Sequence, residues 1–130
     1  MNVGSDIGDF MLKNAHGIFS YQLASAVDDV DMGVTDVVRG ADLMAVTAAH
    51  LMIQEAIGGD FIRYRHLPLA LSNTGEKLSK ATDAPAVEAK QASEVLQRAF
   101  LHLGLGTVDL DVPHQMLDAA IAKWPHRKTR

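Results

Sequence analysis

The stretch from Val34 to Leu71 constrains the fold most. Val34-Thr35-Asp36-Val37-Val38 is β-branched and reads as a strand that delivers Arg39-Gly40 at its C-terminal end. Thr47 is placed to cap a following helix, in which Leu51, Met52 and Ala56, with Ile53 and Ile57, cover most of the circumference, and Gly58-Gly59 ends it. Such a helix is expected to be buried between layers. Phe61 to Leu71 then reads as a second strand, with Leu67, Leu69 and Leu71 on one side. Strand, helix and strand in succession indicate an α/β protein, whose ligands bind at the C-terminal ends of the strands.

The flanking segments fit this frame. Phe10-Met11-Leu12-Lys13 and Ile18-Phe19-Ser20-Tyr21 surround Asn14-Ala15-His16-Gly17, whose Gly and Asn suit a hairpin turn. From Gln22 to Asp31 the spacing of Leu23, Ala24, Ala26, Val27 and Val30 predicts a short buried helix that stops near Met32-Gly33. After the second strand, Asn73-Thr74-Gly75 makes a turn before Glu76-Lys77-Leu78-Ser79-Lys80, a lysine-bearing loop. Ala92 to Leu103 is amphipathic through Val95, Leu96, Ala99, Phe100 and Leu103, and Gly104 ends it. A last helix follows Pro113, with Leu117, Ala120, Ile121 and Trp124 on one face.

Composition narrows the chemistry. The 130 residues are 48% apolar and 22% charged, the balance of a globular chain about one domain in size. No cysteine is present, which removes disulfides, thiolate zinc sites and thiol nucleophiles. The six histidines are scattered without the i, i+4 spacing of a zinc helix, and Asp28, Asp29 and Asp31 lack the glycine-centred loop of a calcium site; the aspartates read as capping, ion-paired or solvated groups. There is no nucleophile elbow, P-loop or Gly-x-Gly-x-x-Gly fingerprint. No apolar run approaches a membrane span and no signal peptide is seen, so a cytoplasmic protein is expected. A net charge of −4 argues against a surface dominated by phosphate contacts, with the basic tail His126-Arg127-Lys128-Thr129-Arg130 as a local exception.

Read in order, Gly8-Asp9-Phe10, His16-Gly17, Tyr21-Gln22-Leu23-Ala24, Val27-Asp28-Asp29, Val38-Arg39-Gly40-Ala41-Asp42-Leu43, His66-Leu67-Pro68-Leu69 and Lys77-Leu78-Ser79-Lys80 resemble the class I glutamyl-tRNA synthetase family. The Arg-Gly-Ala-Asp-Leu block and a short tail helix with Lys123-Trp124 resemble its glutamyl-queuosine tRNA(Asp) branch more than the tRNA(Glu)-charging enzymes, which carry a large anticodon-binding region after the lysine motif. The resemblance runs from Gly8 to Trp124. It implies the C-terminal half of a Rossmann-type catalytic core followed by a small helical tail. Residues 1–85 would form the core half with the KMSKS-type loop, and 86–130 the C-terminal helical segment.

The resemblance also implies a chemistry. Glutamate is activated with ATP, accompanied by Mg²⁺ as co-substrate, and passed to tRNA, in the queuosine branch to the modified base of tRNA(Asp). Lys80 and Lys77, the two lysines of the motif, would neutralise charge on the α-phosphate as pyrophosphate leaves, with Leu78 and Ser79 completing the ATP-binding loop. Tyr21 through its hydroxyl and Arg39 through a charge-assisted grip on a carboxylate would bind glutamate. Read without the family, Tyr21 is a core aromatic and Arg39 an ion-pair partner of Asp36 or Asp42.

The family's HIGH-type motif, its N-terminal Arg and Ser, its ammonium-binding acid and its cysteine-containing zinc region have no counterpart here. The chain is therefore expected to need the missing half, or a homo-oligomer covering the open sheet edge, and to be inactive alone. Ala49 and His50 stand where the family has Arg-Gln, and Ala81 follows the lysine motif where a polar residue is common. Part of a tRNA(Glu)-charging enzyme, or a non-catalytic remnant binding a partner or RNA, are the alternatives.

Overall fold

The computed structural model describes residues 7–79, 84–109 and 111–124. They fall into two compact units that divide between Leu67 and Pro68.

The first unit opens with the turn expected at Asn14-Ala15-His16-Gly17. Asn14 Oδ1 accepts from the amides of His16 and Ile18 at 3.0 and 2.9 Å, and Gly17 adopts φ 82°. The hairpin is smaller than its flanking residues predict: a single antiparallel bridge joins Lys13 and Phe19, and Met11, Ile18 and Phe19 are exposed. Helix α1 spans Tyr21–Asp31. Ser20 caps it by accepting from Leu23 N at 3.3 Å, and Gly33 at φ 66° takes the left-handed turn that ends it. Of α1 only Ala26 is fully buried, so the helix lies on the surface rather than inside.

Strand β1, Asp36–Gly40, and strand β2, Arg63–Leu67, pair in parallel with Val37 opposite Tyr64 and Arg39 opposite His66. A parallel pair needs a crossover, supplied by a 3₁₀ turn at Ala41–Leu43 and helix α2 at Thr47–Ala56. Two sequence expectations change here. Thr47 is the first helical residue instead of the cap; that position belongs to Val46, which makes no side-chain cap bond. Nor is α2 buried all round: Ala49, His50, Ile53 and Gln54 are inside while Met52 and Ile57 are exposed. The buried stripe thus follows i, i+1, i+4, i+5 and carries two polar residues. The second strand also stops at Leu67, short of Leu71.

The second unit is built on its own small core. Leu71 and Lys77 form one antiparallel bridge around a turn in which Ser72 Oγ accepts from the amides of Thr74 and Glu76, both at 3.2 Å. A 3₁₀ turn at Ala89–Gln91 leads into α3, Ala92–His102, and α4 spans Pro113–Lys123. Gly104 at φ 73° reverses the chain after α3 while Leu105 N donates to Phe100 O at 2.9 Å. Phe100, Met116 and Ala120 form the core, with Leu96, Leu105 and Val108 against it. The expected face of α4 is therefore displaced: Met116 is buried, whereas Leu117 and Ile121 are exposed at the rim of an apolar groove of about 390 Å³ that Trp124 also lines.

Candidate functional site

Arg39 is the centre of the polar network in the first unit. Period-two alternation along β1 turns Arg39 to the same face as Val37, and parallel pairing sets Tyr64 and His66 beside them. The guanidinium donates through Nη2 to Thr47 Oγ1 at 2.8 Å and to the carbonyl of Leu43 at 3.1 Å. Its Nη1 lies 3.1 Å from Nδ1 of His50, and its Nε donates to Nε2 of His66 at 3.4 Å. Its Cζ stands 4.8 Å over the Tyr64 ring, a cation–π contact worth about 0.5–2 kcal/mol.

Proton bookkeeping fixes the states of these groups. A guanidinium has donors only, so His50 Nδ1 and His66 Nε2 must both be unprotonated acceptors. Each ring is then neutral with its proton on the other nitrogen. The electrostatics agree: burial first, and the Arg39 charge second, push both imidazoles below their ordinary value, with Asp29 opposing weakly at His50. Thr47 has one hydroxyl proton for two acceptors, the Leu43 carbonyl at 3.2 Å and His66 Nε2 at 3.0 Å. Burial raises the Tyr64 phenol, against a bond in which Gln54 Nε2 donates to its oxygen at 2.9 Å.

These four hydrogen-bond partners of Arg39 are all neutral. Asp36, one of two acids three residues away in sequence, is engaged by Arg63 on the neighbouring strand at 2.6 Å, so the Arg39–Asp36 ion pair is not formed. The result is a fixed cation at the C-terminal end of β1, held by neutral acceptors from His50, His66, Thr47 and the Leu43 carbonyl, an arrangement suited to a carboxylate. Alongside runs a cleft of about 550 Å³ lined by the polar Thr47, Glu55, Tyr64 and His66 and by the apolar Met44, Leu51 and Met52.

Of the residues singled out in the sequence, Tyr21 and Arg39 are brought together through His50, whose ring centroid is 5.6 Å from that of Tyr21. Tyr21 is 55% exposed, so it is not a core aromatic. Lys77, Leu78 and Ser79 lie in the second unit. Lys77 sits in the bridge to Leu71, Leu78 N donates to Ala70 O at 2.9 Å and Ser79 O accepts from Ala84 N at 3.2 Å. Lys80 is outside the described residues. Among those described, no group of three His, Cys, Asp or Glu side chains is arranged to hold a metal, and no helix is long and apolar enough to cross a membrane.

Thr47, His50, Tyr64 and His66 were not legible as site residues. The signals existed: Tyr64 and His66 alternate on one side of β2, and His50 and Gln54 are an i, i+4 polar pair on the buried side of α2, beside Ala49 and Ile53.

Residues 1–104 match the family described as tRNA synthetases class I (E and Q), catalytic domain, and the chain belongs to that family of glutamyl-tRNA synthetase-like ligases. Its relatives narrow the branch. It is 44% identical over 123 residues to the glutamyl-Q tRNA(Asp) synthetase of Acinetobacter baylyi, covering 95% of this chain and 42% of that protein. Against the enzyme of the same name from Burkholderia cenocepacia the identity is 46% over 121 residues, 93% of this chain and 40% of the relative. The chain thus spans about two fifths of the length of these curated relatives. Among solved structures, a glutamate tRNA ligase from Elizabethkingia meningosepticum in complex with its amino acid is similar at TM-score 0.50 and 36% identity, over 58% of this chain and 15% of that one.

Proposed function

We propose that this chain works as part of a cytoplasmic ligase that activates glutamate with ATP and Mg²⁺ and transfers it to the queuosine base of tRNA(Asp). On this reading residues 1–85 are the second half of a Rossmann-type catalytic core with its lysine loop, and 86–130 a C-terminal helical segment. The relatives named glutamyl-Q tRNA(Asp) synthetase, alike along nearly the whole chain, support the choice of branch.

The observation that carries the reading is the Arg39 guanidinium, oriented by four neutral acceptors at the end of β1 beside the exposed Tyr21. Arg39 binds a carboxylate of glutamate and Tyr21 binds through its hydroxyl. The reacting carboxylate oxygen attacks the α-phosphorus of ATP; the new O–P bond forms as the bond to pyrophosphate breaks. Lys80, assisted by Lys77, neutralises the charge that builds on the phosphates, with Leu78 and Ser79 shaping the same loop. The uncovered edges of the two-stranded sheet are occupied by the rest of a synthetase core or by a second copy of the chain.

The test is glutamate-dependent ATP–pyrophosphate exchange by the chain mixed with the remaining part of the Acinetobacter baylyi relative. Exchange that is lost with Lys80→Ala and with Arg39→Leu supports the reading. Exchange indifferent to both substitutions, or absent from every mixture, removes it. Comparing transfer to tRNA(Glu) with transfer to queuosine-containing tRNA(Asp) decides the acceptor, since the similar solved structure is a glutamate tRNA ligase.

A further inference from the structure

His50 is a polar side chain with no exposure to solvent, and such burial calls for a specific partner. It has two. From α2 its Nδ1 meets Nη1 of Arg39 at 3.1 Å, and its ring packs at 56° against that of Tyr21 on α1. Tyr64 on β2 closes the third side, with ring centroids 6.5 Å apart. His50 therefore touches both residues assigned to glutamate, from behind.

A guanidinium can only donate, so the ring proton sits on Nε2, which is buried and has no hydrogen-bond partner among the described residues. A second proton at Nδ1 would set donor against donor and cation against cation at that 3.1 Å separation. The ionisable groups around the ring are Arg39 on β1, Tyr64 on β2, and Tyr21 and Asp29 on α1. Only Asp29 favours a charged imidazole, and burial and Arg39 outweigh it.

We infer that His50 is a positioning residue, an uncharged imidazole that holds Nη1 of Arg39 and backs the ring of Tyr21, so that the pair grips a carboxylate while the ring is neutral and releases it on protonation. The functional part of this inference rests on the proposed role of Tyr21 and Arg39 in glutamate binding. The chemistry also says what can replace His50. A glutamine offers Arg39 an acceptor oxygen that does not titrate near neutral pH, whereas leucine offers none.

The first measurement is the long-range ¹⁵N–¹H spectrum of the histidine rings in the full chain between about pH 5 and about pH 8. The expected result is a His50 ring with Nδ1 bare and Nε2 protonated at neutral pH, whose titration midpoint rises in Arg39→Leu. A proton on Nδ1, or a midpoint indifferent to Arg39→Leu, overturns the inference. The second is the Kd for glutamate over the same pH range. The wild-type chain should bind about tenfold or more weakly at the acid end, His50→Gln should bind equally at both ends, and His50→Leu weakly at both. Equal pH dependence in wild type and His50→Gln also overturns it. If instead the ring spectra behave as expected but Arg39→Leu leaves glutamate affinity unchanged, the assignment of glutamate to this site fails while the coupling of His50 to Arg39 stands.

Discussion

Oγ1 of Thr47 accepts from Nη2 of Arg39 at 2.8 Å, fastening the first residue of α2 to the end of β1. The same oxygen reaches the Leu43 carbonyl and Nε2 of His66, so one hydroxyl organises the crossover of the parallel pair. Thr47→Val preserves shape and removes the oxygen. It should destabilise the chain by about 1–3 kcal/mol, the cost of leaving partly buried donors and acceptors unmatched, whereas Thr47→Ser should retain most of the stability. Urea denaturation of the three proteins decides this, and a valine variant as stable as the wild type would mean that the network is incidental.

Asp36 and Arg63 pair side by side across the two strands, with Arg63 Nε and Nη2 both 2.6 Å from the carboxylate. The hydrogen bond from Arg63, then that from Thr35, holds the Asp36 carboxyl down to about 2. A carboxylate with a lowered folded value adds stability above its ordinary range near 3.8 and loses it as pH falls through about 2. Both side chains are half exposed, so the contribution is small and screened by salt. The check is the Asp36 carboxyl ¹³C titration: a midpoint near 2 is expected, rising toward 3.8 in Arg63→Gln.

The two imidazoles around Arg39 give the opposite end of the acid range its own signature. Both are held below 6.5, so the unfolded chain takes up protons there before the folded one does. Stability is full above about 6.5 and declines as pH falls from there through the folded values. Thermal unfolding followed across about pH 7.5 to about pH 4.5 should show this decline, shallower in His50→Gln. A Tm that is flat over the interval, or equally steep in the variant, contradicts the neutral-ring assignment.

How much of this was legible beforehand depended on which kind of signal a residue carries. The strand–helix–strand order was readable from β-branched runs, apolar periodicity and glycines, and Gly33, Gly58 and Gly104 do take the positive φ expected near the helix ends. Boundaries and burial were less so. Leu69 and Leu71 look like strand residues by apolarity, yet β2 stops at Leu67, where its pairing with β1 runs out. Helix α2 looked buried all round because Met52 and Ile57 are apolar, while the side that faces the sheet carries His50 and Gln54. Arg39 is legible because a motif marks it. In the sequence His50 is only a departure from that motif, since its meaning depends on Arg39 and Tyr21 converging from two other elements, which no local pattern encodes.

Gly59 tests the packing that brings those elements together. It follows α2, its amide donates to Gln54 O at 2.8 Å, and a Cβ placed on it would stand 2.5 Å from Val30 Cγ2 and 3.1 Å from that same carbonyl. The close approach joins the end of α2 to α1, the helix that carries Tyr21. Gly59→Ala must push Val30 aside or open the turn, and overpacking of this kind costs roughly 1–3 kcal/mol. Because the clashing methyl belongs to a side chain, Val30→Ala should recover part of the loss in the double variant, while the contact to the Gln54 carbonyl leaves a residue of it. Denaturant midpoints of the two single variants and the double complete the cycle. Strictly additive losses would show that Gly59 and Val30 do not press on one another, and that the seating of α1 against α2 has another cause.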